Sequence, residues 1–87
     1  PISEDSQLEP MVITLESGGA SGSRPYVRRA EQLAVVLQGT FELKIKKNTY
    51  SLKRGDAACI PSDIHHCWRN TSRKPAQVLI VTAHRHL

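Results

Sequence analysis

At 87 residues the chain has the length of one domain and not two, and its hydrophobic fraction of 39% is that of an ordinary globular protein. The net charge of +4 is uneven: residues 1–16 carry Glu4, Asp5, Glu9 and Glu16 and no base, and the remainder holds all twelve Lys and Arg. Those bases are dispersed over turns and alternate positions beside one Trp, one Phe and two Tyr, which argues against a nucleic-acid surface, and no apolar run approaches the ~20 residues of a membrane helix. Cys59 and Cys67 form no CxxC and are too few for a disulfide framework, so they read as free thiols in a reducing cytoplasm.

In chain order, residues 1–10 are polar and acidic and read as a tail or linker before a domain over residues 11–87. Met11 to Leu15 is short and β-branched, a strand. Ser17 to Pro25 is rich in Gly and Ser, a loop free to move unless something pins it. Leu33 to Leu37 is apolar on both faces, a buried strand. Phe41 to Lys46 alternates strictly, with Phe41, Leu43 and Ile45 turned inward. Lys47-Asn48 reads as a tight hairpin turn, because Asn tolerates positive φ. Strands follow at Thr49–Leu52, Ala57–Ile60, His65–Asn70 and Gln77–Val81, separated by turns at Lys53–Asp56, Pro61–Asp63 and Thr71–Pro75. No segment carries a 3.6-residue apolar repeat, and turn signals recur about every ten residues, so the class is all-β, a sandwich or barrel.

Spacing in the second half is more specific. Gly55, Pro61, Asp63, His66 and Asn70 stand in the pattern G-x5-P-x-D-x2-H-x3-N. This resembles the second motif of the cupins, with Asp63 where Gly usually stands; Asp is among the few residues that enter the left-handed region cheaply. Gly39 matches the last Gly of the first cupin motif, and counting back puts Gln32 at its Glu position and Tyr26 and Arg28, or Pro25 and Val27 with the longer spacer, at its His positions. The strand and turn of that motif are kept and its ligands are lost. The run His66-Cys67-Trp68-Arg69-Asn70 further resembles the C-terminal cupin domain of helix-turn-helix (XRE-type) transcription regulators. The resemblance implies a small double-stranded β-helix, or jelly-roll barrel.

A catalytic metal needs about three protein ligands. Only His66 survives at a cupin ligand position, Gln32 is a neutral and poor ligand, and a guanidinium at Arg28 repels a metal. The expectation is no metal, no cofactor and no catalysis. Cys59 has a strand phase that its short segment leaves open, so it stays a candidate for the interior. His66, Trp68 and Asn70 share one strand face. The resemblance implies that this face looks into the barrel near Arg28 and Gln32, and the ligand-binding candidates are Arg28, Gln32, His66, Trp68, Tyr26 and Cys59. Arg28 suggests an anionic or polar metabolite. The plain alternatives are Arg28 paired with Glu31 at the surface, Trp68 as core, His66 as a satisfied barrel histidine and Asn70 as a turn-fixing residue.

The resemblance implies a sensor domain of a cytoplasmic regulator that forms homodimers, stays off membranes and meets DNA only through a separate N-terminal helical domain. Two alternatives stay open. One is a stand-alone cupin that binds a metabolite or is a weakly metal-dependent enzyme. The other is a structural dimerisation barrel.

Overall fold

Side-chain alternation decides which face of each strand is buried, and two sheets result. The computed structural model describes residues 8–21, 30–62 and 64–84. Its elements are all strands: β1 (Leu8–Leu15), β2 (Ala30–Gln38), β3 (Thr40–Ile45), β4 (Asn48–Lys53), β5 (Ala57–Ile60), β6 (His66–Arg69) and β7 (Ala76–His84). One sheet has the order β1-β7-β2-β5 and the other β4-β3-β6. Every pairing is antiparallel. The fold is the all-β jelly roll expected.

The core lies between the sheets. Ala34, Val36, Val78 and Ile80 come from the first sheet and Phe41, Leu43 and Trp68 from the second. Burying each large apolar side chain contributes about 1.5–3 kcal/mol. Phe41 and Trp68 meet edge to face, with ring centroids 5.6 Å apart and planes at 81°, a favoured aromatic geometry.

Several boundaries differ from expectation. β1 starts at Leu8, so Leu8, Glu9 and Pro10 are not tail but strand, paired with β7 from Leu8↔Ala83 onward. Pro10 stands in an edge strand, the place in a sheet where proline is accommodated. The β3–β4 hairpin turns at Lys46-Lys47, one residue earlier than read: Ile45 pairs with Asn48, and Lys46 takes the positive φ, 54°. The described start of the Gly/Ser segment is pinned. Gly18 N donates to Asn70 O at 2.9 Å, Asn70 N to Gly19 O at 2.8 Å and Ser21 N to Trp68 O at 2.9 Å. Gly39 must be glycine on two counts: its φ is +79°, and a Cβ would stand 2.8 Å from Ala76 Cβ. The turn at Asp63, with its left-handed expectation, lies outside the described residues.

Candidate functional site

β2 carries apolar residues on both faces, so burial separates them. Ala30, Gln32, Ala34 and Val36 point in, while Glu31, Leu33 and Leu37 are exposed. Gln32 is therefore a polar residue on an inward face, 5% exposed. It is held by the strand beside it: Gln32 pairs with Thr82 of β7, and Gln32 Nε2 donates to Thr82 Oγ1 at 3.1 Å. β6 from the opposite sheet turns His66 and Trp68 toward it, both buried. The main chain of Trp68 is fixed by Ser21, whose hydroxyl oxygen accepts from Trp68 N at 2.9 Å. His66 Nδ1 lies 3.2 Å from the Ile64 carbonyl oxygen, which places a proton on Nδ1 in that hydrogen bond.

These groups share a hollow of about 230 Å³ between the sheets. Its polar lining is Ser21, Gln32, His66 and Trp68, and its apolar lining is Met11, Ile13 and Ile80. Two buried atoms of the lining, Gln32 Oε1 and Trp68 Nε1, have no hydrogen-bond partner among the described residues. A buried polar group left unmatched costs about 1–3 kcal/mol. Both atoms belong to residues that line the same hollow.

The sequence candidates divide accordingly. Gln32, His66 and Trp68 are brought together as expected. Cys59 is not with them: it is exposed, on the face of β5 opposite to Ile60. The reason is register, since Cys59 pairs with the outward Leu33 of β2 and Ile60 with the inward Gln32. Cys59 lines instead a second groove of about 470 Å³ with Leu8, Leu33, Pro61 and Val81, and of the three it shares that groove with Gln32 alone. Tyr26 and Arg28 lie outside the described residues. The sequence reading missed Thr82 and Ser21. Thr82 continues the inward alternation Ala76, Val78, Ile80, a signal that extends one step past the expected strand end. Ser21 reaches Trp68 from a distant loop and leaves no periodic trace.

No group of three His, Cys, Asp or Glu among the described residues is arranged to hold an ion, and the Gln32 amide is neutral and bonded to Thr82. No helix among the described residues is long and apolar enough to cross a membrane.

Comparison with known proteins gives a consistent answer on fold. The family model described as "Cupin domain" matches residues 11–82. The Cupin_2 domain of an XRE family transcriptional regulator from Enterobacter cloacae superposes with a TM-score of 0.84 at 24% identity, covering 99% of this chain and 90% of that one. A sugar phosphate isomerase of the cupin superfamily from Silicibacter pomeroyi gives 0.80 at 26% identity; 92% of this chain is covered, but only 52% of the isomerase chain. An RmlC-like cupin from Shewanella frigidimarina gives 0.77 at 18% identity, with 90% and 67% covered. A search of curated proteins returned no match.

Proposed function

Because the chain belongs to the cupin domain family, we propose that it is a ligand-binding sensor module, the effector-binding part of a transcription regulator, and that it binds rather than catalyses. One observation carries this reading: a hollow of about 230 Å³ between the sheets, where the polar residues Ser21, Gln32, His66 and Trp68 stand beside apolar Met11, Ile13 and Ile80. A hollow with an apolar body and a few converging polar groups is the usual form of a small-molecule site. Gln32 at the Glu position of the first cupin motif favours binding over metal chemistry, since its amide is already held by Thr82. The likeness to the regulator's Cupin_2 domain supports the regulatory setting. In that setting DNA is met through a separate helical domain, in the cytoplasm.

The test is thermal unfolding against a panel of carboxylated, phosphorylated and neutral polar metabolites. A ligand that binds only the native state at ten times its Kd stabilises by about 1.4 kcal/mol. For a domain of this size that raises Tm by about 6–11 °C. A panel without any shift would leave a structural barrel and sink the sensor reading.

The outer face of the four-stranded sheet supports the homodimer. Leu8 is 63% and Val12 53% exposed, and Leu33 and Leu37 join them from β2. Exposed apolar residues gathered on one sheet face mark an association surface, and a second copy offers the same apolar face. The expected mass by light scattering is twice the 9.7 kDa of one chain. Leu33→Glu, which leaves the core untouched, should return the protein to one chain. A wild-type mass of a single chain would refute the pairing.

A further inference from the structure

The outer face of the three-stranded sheet has a chemistry opposite to the apolar outer face of the four-stranded one. Phe41 and Leu43 of β3 and His66 and Trp68 of β6 are buried, so alternation turns Glu42, Lys44, Cys67 and Arg69 outward. In β4, Leu52 and Tyr50 pair with Phe41 and Leu43, which leaves Thr49, Ser51 and Lys53 on that same outer face. Lys46 and Lys47 form the tip of the β3–β4 hairpin. All eight described Lys and Arg lie on β3, β4, β6 or the turns adjoining them, and none lies on β1, β2, β5 or β7. Bases dispersed along the sequence are thus gathered by the fold, because alternate positions share a face. Of the described acids only Glu42 stands on the strands of this sheet.

We infer that this face is a phosphate-backbone surface that lies along duplex DNA without reading its sequence. Lys, Arg, Ser and Thr are side chains that contact phosphate oxygens, and such contacts carry no sequence information. Here Lys44, Lys53 and Arg69 stand beside the hydroxyls of Thr49 and Ser51, all of them exposed. A protein partner would call for an apolar centre and few Lys, and no large apolar side chain faces outward from these strands. Single-stranded nucleic acid would call for aromatic rings to stack on, and none stands on this face. A duplex remains. That it is DNA rests on the regulator reading.

Fluorescence anisotropy of labelled DNA duplexes of several unrelated sequences tests the inference on the whole chain. Binding should be equal across sequences, with Kd about 10⁻⁶–10⁻⁴ M at physiological salt. Each phosphate neutralised contributes about −0.9 to the slope of log K against log salt, so four to five cations should give about −4. Lys44→Gln and Arg69→Gln, both at exposed positions, should leave Tm unchanged, weaken binding to every sequence alike and each make the slope shallower by about 1. Gln77→Glu removes the same unit of charge on the four-stranded sheet, where the Thr14 hydroxyl can donate to the new carboxylate, and should leave the slope as it is. No binding at low salt, a slope that ignores both face variants, or an equal loss in Gln77→Glu would overturn the inference. So would polyglutamate, duplex RNA or phosphatidylserine vesicles bound as tightly as DNA. Each of these results leaves the sensor reading standing, because that reading is tested by metabolites and Tm. DNA binding with the expected slopes, in a chain whose Tm no metabolite raises, would keep the inference and sink the sensor reading.

Discussion

Asn70→Ala is expected to cost about 3 kcal/mol, which lowers Tm by about 12–24 °C in a domain of this size. Asn70 is fully buried. Its Nδ2 donates to Leu15 O at 3.0 Å and to Lys74 O at 2.7 Å. Its Oδ1 accepts from Ser72 N at 2.9 Å and from Ser72 Oγ at 2.7 Å. One side chain thus joins the end of β1, the segment after β6 and the turn that leads into β7. Each bond is worth about 1 kcal/mol net, and its loss leaves partners unmatched. The total is a large share of the 5–15 kcal/mol typical of a whole domain. Asn70→Asp should be no milder, because a carboxylate oxygen would then face the carbonyls of Leu15 and Lys74. Urea unfolding measures both variants. A loss below about 1 kcal/mol for Asn70→Ala would mean that these segments hold their shape without it.

Asn70 was legible in the sequence as a turn-fixing residue, but its reach to Leu15, 55 positions away, was not. The same division runs through the fold. β3 could be read because one of its faces meets water and the other the core, so Phe41 and Leu43 separate from Lys44. β2 could not be phased, because it is apolar on both sides: its inward face is built of Ala30, Ala34 and Val36, and the larger Leu33 and Leu37 face out. Size and hydrophobicity give no phase there, and the phase of Cys59, which pairs with Leu33, stayed open with it. The start of β1 was hidden by Glu9 and Pro10, which speak against a central strand but not against an edge. For the site, motif spacing found Gln32 and His66, and alternation found Trp68. Thr82 and Ser21 belong to the site through hydrogen bonds across 50 and 47 positions, which no local pattern encodes.

Trp68→Ala is expected to be the most damaging change to the core, costing about 3–5 kcal/mol. Trp68 is the largest fully buried side chain. Its removal strips Phe41 of its edge-to-face partner and enlarges a hollow that already measures about 230 Å³. Trp68→Phe is expected to be far milder, about 1–2 kcal/mol, because the ring against Phe41 is kept and the volume lost is smaller. A second effect works in its favour. The deleted Nε1–H is a buried donor without a partner among the described residues, so losing it removes a penalty of about 1–3 kcal/mol instead of breaking a bond. The hydrogen bonds between Trp68 and Ser21 run through the Trp68 main chain and survive both substitutions. Urea unfolding of the two variants therefore separates packing from hydrogen bonding at one position. If Trp68→Phe costs as much as Trp68→Ala, the indole N–H has a partner in solution and the hollow is not waiting for one. If the Phe variant keeps its stability yet gains nothing from a ligand that stabilises the wild type, the indole N–H is kept at a cost in stability for the sake of binding.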